Sequence, residues 1–151
     1  MKKASRLLRV MVVEDDPTFR SFWRRVFKEL GVDDYVIYSD AKEATRSLDG
    51  SFGLLISDVI MPRMNGYELA KYACKHYPNL KIVLTTGYTT DLSHFNLNDC
   101  SFHLIHKPYN NIAEIKKMIL HLLKGEDVFE DASDDSFSEN EDYPLITEWR
   151  L

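Results

Sequence analysis

Apolar residues fall into short solid runs, separated by stretches in which they recur every three or four positions. The runs at 7–13, 35–38, 53–57, 81–85 and 102–105 are rich in β-branched residues and bounded by polar or turn residues. Runs of that length and composition predict strands buried on both faces. Between the first two, Phe19, Phe22, Trp23, Val26, Phe27 and Leu30 make a helical stripe, with Asp16 placed as N-cap, Pro17 at N1 and Gly31 as the stop. The spacing repeats in Ala41, Ala44, Thr45 and Leu48, in Leu69, Ala70, Ala73, Cys74 and Tyr77, and in Ile112, Ile115, Met118, Ile119 and Leu122. The stretch 89–98 is weakly patterned and reads as a short, poorly anchored helix. Strand and helix alternate, so the fold class is α/β: a doubly wound parallel sheet with right-handed crossovers and helices on both faces.

The pattern ends near residue 124. Residues 125–151 hold 10 of the 24 acids but only one basic residue, Arg150, which leaves a body of net charge +4 and a tail of −9. We therefore expect a folded domain over 1–124 and a tail over 125–151, too charged and too poor in apolar residues to fold alone and hence disordered. The tail's apolar and aromatic end, residues 143–151, reads as a docking segment. Basic residues on the body are scattered, which argues against direct nucleic-acid binding. No uninterrupted apolar run is long enough for a membrane span. Two cysteines, Cys74 and Cys100, make no disulfide framework and read as thiols of a cytoplasmic protein. None of the five histidines has zinc-ligand spacing.

In an open parallel sheet, the loops after the strands' carboxyl ends converge on one crevice. Glu14 and Asp15 follow the first predicted strand, Asp58 the third, Thr86 closes the fourth, and Lys107 follows the fifth. Three carboxylates so gathered repel one another unless a cation joins them. Mg2+ suits them, since it takes oxygen ligands and keeps waters that phosphate oxygens can replace. With the Lys107 ammonium and the Thr86 hydroxyl added, the set is suited to phosphoryl transfer onto Asp58. Asp16 is assigned only the cap.

The runs VMVVEDD, LLISDVIMPRMNG and IVLTTG and the pair Lys107-Pro108 resemble the signatures of response-regulator receivers, over residues 7–124. The resemblance implies a five-stranded sheet of order 2-1-3-4-5, a flavodoxin-like arrangement for which a chemotaxis receiver is a known example. It implies Asp58 as phosphoacceptor, Asp15 and Asp58 as metal ligands with the backbone carbonyl of Ile60, and Glu14 reaching the metal through water. Thr86 would be the switch hydroxyl, Lys107 the phosphoryl-binding lysine, and Pro108 would follow a cis peptide bond. Ile60 and Tyr88 would flank the approach of water and set the lifetime of the phosphoryl group. A histidine kinase or phosphotransfer protein would be the donor. A downstream protein would bind the face made by the fourth predicted helix (89–98), the fifth strand and the fifth helix. Such a domain transfers the group to itself and loses it slowly, without being an enzyme in the ordinary sense.

The chain departs from the family pattern at Leu104, where many members carry a switch aromatic; Tyr109 and Tyr88 are the nearby replacements. Other readings are a receiver module belonging to a hybrid histidine kinase, an aspartate-nucleophile phosphatase and a flavin mononucleotide carrier. The phosphatase needs a second carboxylate two residues after its nucleophile, and position 60 is Ile. The carrier needs a Ser, Thr and Gly-rich first loop, and that loop here is Glu14, Asp15 and Asp16.

Overall fold

The computed structural model describes residues 7–61, 65–87, 101–125 and 146–149. β1 (Val10–Val13) is an inner strand of the sheet, and its four apolar residues have no exposed surface, as an inner parallel strand requires. It pairs in parallel with β2 (Tyr35–Tyr38) on one side and β3 (Leu54–Asp58) on the other. β4 (Lys81–Thr86) and β5 (Phe102–His106) extend the sheet in the same sense, giving the order β2-β1-β3-β4-β5. The expected five-stranded parallel arrangement is therefore present.

One strand was not expected. Within the stretch read as a tail, Ile146–Trp149 forms β6, which pairs antiparallel with the outer edge of β5, Ile105 opposite Ile146 and Phe102 opposite Trp149. An edge strand presents unpaired amides and carbonyls that invite pairing, and Ile, Thr and Trp favour extended backbone. The net charge of the preceding residues hides that local preference. The remainder of the tail, and the predicted helix at 89–98, lie outside the described residues.

α1 (Pro17–Leu30) begins as predicted: the Asp16 carboxylate accepts from the Thr18 amide at 2.8 Å, and Pro17 occupies the first turn, where no amide is missed. It ends at Gly31, whose φ of 75° lets its amide reach Lys28 and Phe27 carbonyls. α2 (Ala41–Ser47), α3 (Gly66–His76) and α4 (Ile112–Leu123) are capped by Asp40, Asn65 and Asn111 respectively.

Alternate strand residues feed two apolar clusters. Met11, Val13, Leu55, Ile82, Leu84 and Leu104 pack with α2 and α3, while Val10, Val12, Ile56, Val83 and Ile105 pack with α1 and α4. Trp23 and Phe27 anchor α1 in the second cluster. Burying a side chain of that size contributes about 3 kcal/mol, so Phe27→Ala would loosen α1 from the sheet. Among the described residues, no helix is long and apolar enough to cross a membrane. Cys74 corrects the thiol expectation, because it is disulfide-bonded. Sequence spacing carries no information about which sulfurs the fold brings together.

Candidate functional site

β1 and β3 end side by side, Val13 in register with Ser57, so Glu14, Asp15 and Asp58 emerge at one rim of the sheet. Oxygens from their three carboxylates lie within 4.8 Å of one another. Glu14 is 1% exposed, and its carboxylate accepts from the Asp16 amide at 3.1 Å. Asp58 is also buried, and accepts from the Ile60 amide at 3.3 Å. Asp15 is the more open of the three.

Lys107, the residue after β5, closes the site. Its ammonium donates to Glu14 Oε1 at 2.8 Å and to Asp58 Oδ2 at 3.1 Å. The Lys107 amide donates to the Thr86 carbonyl at 2.6 Å, and the Lys107–Pro108 bond is cis, as the sequence implies.

The electrostatics follow from crowding. Burial pushes the Glu14 carboxyl up to about 7; the Asp58 charge adds to the rise, and Lys107 opposes it. Burial also raises Asp58, again against Lys107, and Asp15 adds repulsion. Three carboxylates with one lysine remain short of positive charge. The all-oxygen donor set of Glu14, Asp15 and Asp58 fits a hard divalent cation such as Mg2+.

Two more sequence-predicted residues lie beside this cluster. Thr86 is fully buried at the end of β4, and its hydroxyl makes a long 3.4 Å contact to the Gly87 carbonyl. Ile60 is 62% exposed at the mouth. Tyr88 lies outside the described residues.

Comparison with known proteins agrees with this geometry. The response regulator receiver domain family matches residues 10–120. The chain belongs to that family.

Sensor kinase CckA of Brucella abortus (strain 2308) is 28% identical to this receiver over 124 residues, covering 78% of the chain and 13% of that protein. Response regulator receiver protein CpdR of the same organism is 34% identical over 80 residues, covering 53% of the chain and 67% of that protein. Among solved structures, the signal receiver domain of a signal transduction histidine kinase from Syntrophus aciditrophicus has 25% identity and a TM-score of 0.66, covering 78% of this chain and 91% of that one. This receiver thus spans only a small part of the sensor kinase it matches.

Its aromatic arrangement answers the question raised by Leu104. Leu104 is buried in the cluster beneath α2 and α3. Tyr109 packs on the opposite side of the sheet, its ring 4.4 Å from Phe22, 5.1 Å from Phe19 and 5.7 Å from Trp23. Burial pushes the Tyr109 phenol far above its ordinary value, with the Thr85 hydroxyl beside it. Tyr109 therefore does not take the place that a switch aromatic at 104 would occupy.

Sequence reasoning missed three residues of this receiver's site. Gly66 opens α3 against the backbone of Asp58. Phe19 lies under the Lys107 ammonium, and Arg20 donates to the main chain of Glu14 and Asp15. Gly66 stands inside the quoted run LLISDVIMPRMNG, where a glycine opening a helix could have signalled close backbone approach. Phe19 was read only as one position of the apolar stripe. Arg20 carried no signal beyond a charge next to that stripe.

Proposed function

We propose that this receiver accepts a phosphoryl group on Asp58 from the phosphohistidine of a histidine kinase or phosphotransfer protein, and that the change switches its protein contacts. The observation that carries the reading is the Lys107 ammonium lodged between Glu14 Oε1 and Asp58 Oδ2. It puts a cation where phosphoryl oxygens would arrive, beside a carboxylate able to attack.

In the transfer, an Asp58 oxygen bonds to phosphorus while the P–N bond breaks, its electron pair returning to the imidazole, which takes a proton from solvent. Lys107 then leaves the carboxylates for a phosphoryl oxygen, and the Thr86 hydroxyl donates to another. Mg2+ on Asp15, Asp58 and the Ile60 backbone carbonyl, with Glu14 reaching it through water, would supply the remaining positive charge. Ile60 and Tyr88 would flank the water path and slow hydrolysis.

The receiver on this reading comprises residues 1–124, and 125–151 is an appendage that serves contacts. Output would use the face formed by segment 89–98, β5 and α4, because Thr86 ends β4 and Lys107 follows β5, on the segments that lead there. The group is transferred to the protein's own side chain, so the activity is signalling and not turnover of a substrate.

The test treats the full chain with acetyl phosphate and Mg2+, followed by intact-mass and peptide mapping. One phosphoryl group on Asp58, absent from Asp58→Ala, is expected. Modification at another residue would overturn the assignment.

A further inference from the structure

Phe19 and Arg20 are adjacent in the first turn of α1, and each reaches a different half of the site. Arg20 Nη1 donates to the Glu14 carbonyl at 3.0 Å and to the Asp15 carbonyl at 2.7 Å. Both contacts are to the main chain. Arg20 thus takes none of the carboxylate oxygens that a metal would use, while the loop that aims them is fixed from behind. Guanidinium is suited to this role, since a single nitrogen carries two N–H groups in a rigid plane. Its positive charge also offsets part of the repulsion among three neighbouring acids.

Phe19 acts on the other half. The Lys107 ammonium lies 3.9 Å from the centroid of its ring. That ring is braced by an edge contact with Tyr109 at 5.1 Å, and Tyr109 in turn leans on Phe22 and Trp23. A ring face attracts a cation without tying it to one direction. Lys107 can therefore exchange hydrogen-bond partners and still be held in the pocket.

We propose that Phe19 and Arg20 are positioning residues, Arg20 fixing the acidic loop for metal binding and Phe19 seating the Lys107 ammonium for contact with the phosphoryl group. The Phe19 half rests on Asp58 being the phosphoacceptor; the Arg20 half requires only that the acidic cluster bind Mg2+.

The two halves predict opposite splits between Mg2+ affinity and phosphorylation rate, which a merely structural role for α1 would not produce. The full chain is compared with Arg20→Met, Arg20→Lys, Phe19→Leu and Phe19→Tyr. Mg2+ affinity is read by amide-shift titration, phosphorylation by acetyl phosphate at saturating Mg2+, and folding by thermal melts.

Arg20→Met should weaken Mg2+ roughly tenfold or more, the usual cost of losing a group that orients metal ligands. Raising Mg2+ should recover most of its lost rate, and Arg20→Lys should fall between. Phe19→Leu should leave Mg2+ affinity in place but slow phosphorylation roughly fivefold, within what one cation–π contact supplies. It should also increase the motion of the Lys107 side chain seen by NMR relaxation, and Phe19→Tyr should restore both.

An Arg20→Met affinity within about twofold of wild type would overturn the first half. A Phe19→Leu protein that keeps its rate and its Lys107 order, or that loses affinity, rate and melting temperature together, would overturn the second. If wild type took no phosphoryl group on Asp58, the phosphoacceptor reading itself would fail. The Phe19 role would fail with it, while the Mg2+ titration would still decide the Arg20 role.

Discussion

Gly66 lies so close to Asp58 that a Cβ at position 66 would stand 1.9 Å from the Asp58 carbonyl oxygen. The contact is between α3 and the end of β3, and the Gly66 amide donates to the Val59 carbonyl at 2.9 Å. Backbone, unlike the tip of a flexible side chain, cannot step aside. Gly66→Ala should therefore cost about 3 kcal/mol or more. It should also displace Asp58 enough to slow its phosphorylation. Urea unfolding and acetyl phosphate labelling of the same preparation would check both expectations.

Lys107→Ala would leave two buried carboxylates without their cation. In the absence of divalent ions, the loss of stability should be about 3 kcal/mol at pH 7.5, because removing one partner of a largely desolvated pair strands the other. Millimolar Mg2+ should recover part of that loss. Denaturant melts with and without a chelator make the comparison.

Glu14 gives a pH signature with a definite sign. Its folded-state pKa is raised from 4.5 to about 7, so the folded protein holds that proton more tightly than the unfolded chain does. Its contribution to stability should accordingly fall as pH rises from about 4.5 to about 7 and be flat on either side. Thermal melts without divalent ions should show that decline in wild type and a smaller one in Glu14→Gln. Saturating Mg2+ should suppress the difference.

Ile60 stands exposed beside Asp58 with no polar group to orient water. Replacing it with Asn should shorten the lifetime of phosphorylated protein roughly tenfold, a small share of what a well-placed polar group can supply. If Tyr88 flanks the water path as proposed, Tyr88→Ala should act in the same direction. The decay of phosphoprotein after donor removal measures both. Unchanged lifetimes would show that neither side chain shields the group.

Pairing with β6 should protect the outer edge of β5. Deleting residues 126–151 should speed amide hydrogen exchange at residues 102–106 while leaving β1 and β3 unaffected. Hydrogen-exchange mass spectrometry on both proteins would show it.

Residues whose role depends on a repeating pattern were readable in the sequence. The strands, α1 with its Asp16 cap and Gly31 stop, and the meeting of Glu14, Asp15, Asp58 and Lys107 all follow from periodicity plus the rule that parallel strands end together. Contacts without a period were not readable. Arg20 reaches main-chain carbonyls, which every residue possesses, and the part of Phe19 beneath Lys107 looks the same in sequence as any apolar helix position. β6 was hidden because the apolar end 143–151 was read as a segment for docking on a partner, and four residues are too few to show a strand's period. Tyr109 was named as a nearby replacement for an aromatic at 104, but it lies beyond the end of β5 and past the cis Lys107–Pro108 bond, and sequence distance does not tell to which face such a residue turns.

Within β4, by contrast, strand alternation sets the sides of Thr85 and Thr86. Consecutive strand residues point to opposite faces, so Thr85 stands with Tyr109 on the side of α1, while Thr86 shares a side with Leu84 beneath α3. The sheet therefore works as a partition wall with a reactive coping. The rim borders a different room on each side: Lys107 and Phe19 stand on that of Tyr109, Thr86 on that of Leu84. A substitution at Phe19 and one at Thr86 therefore disturb the same rim from opposite faces of the sheet.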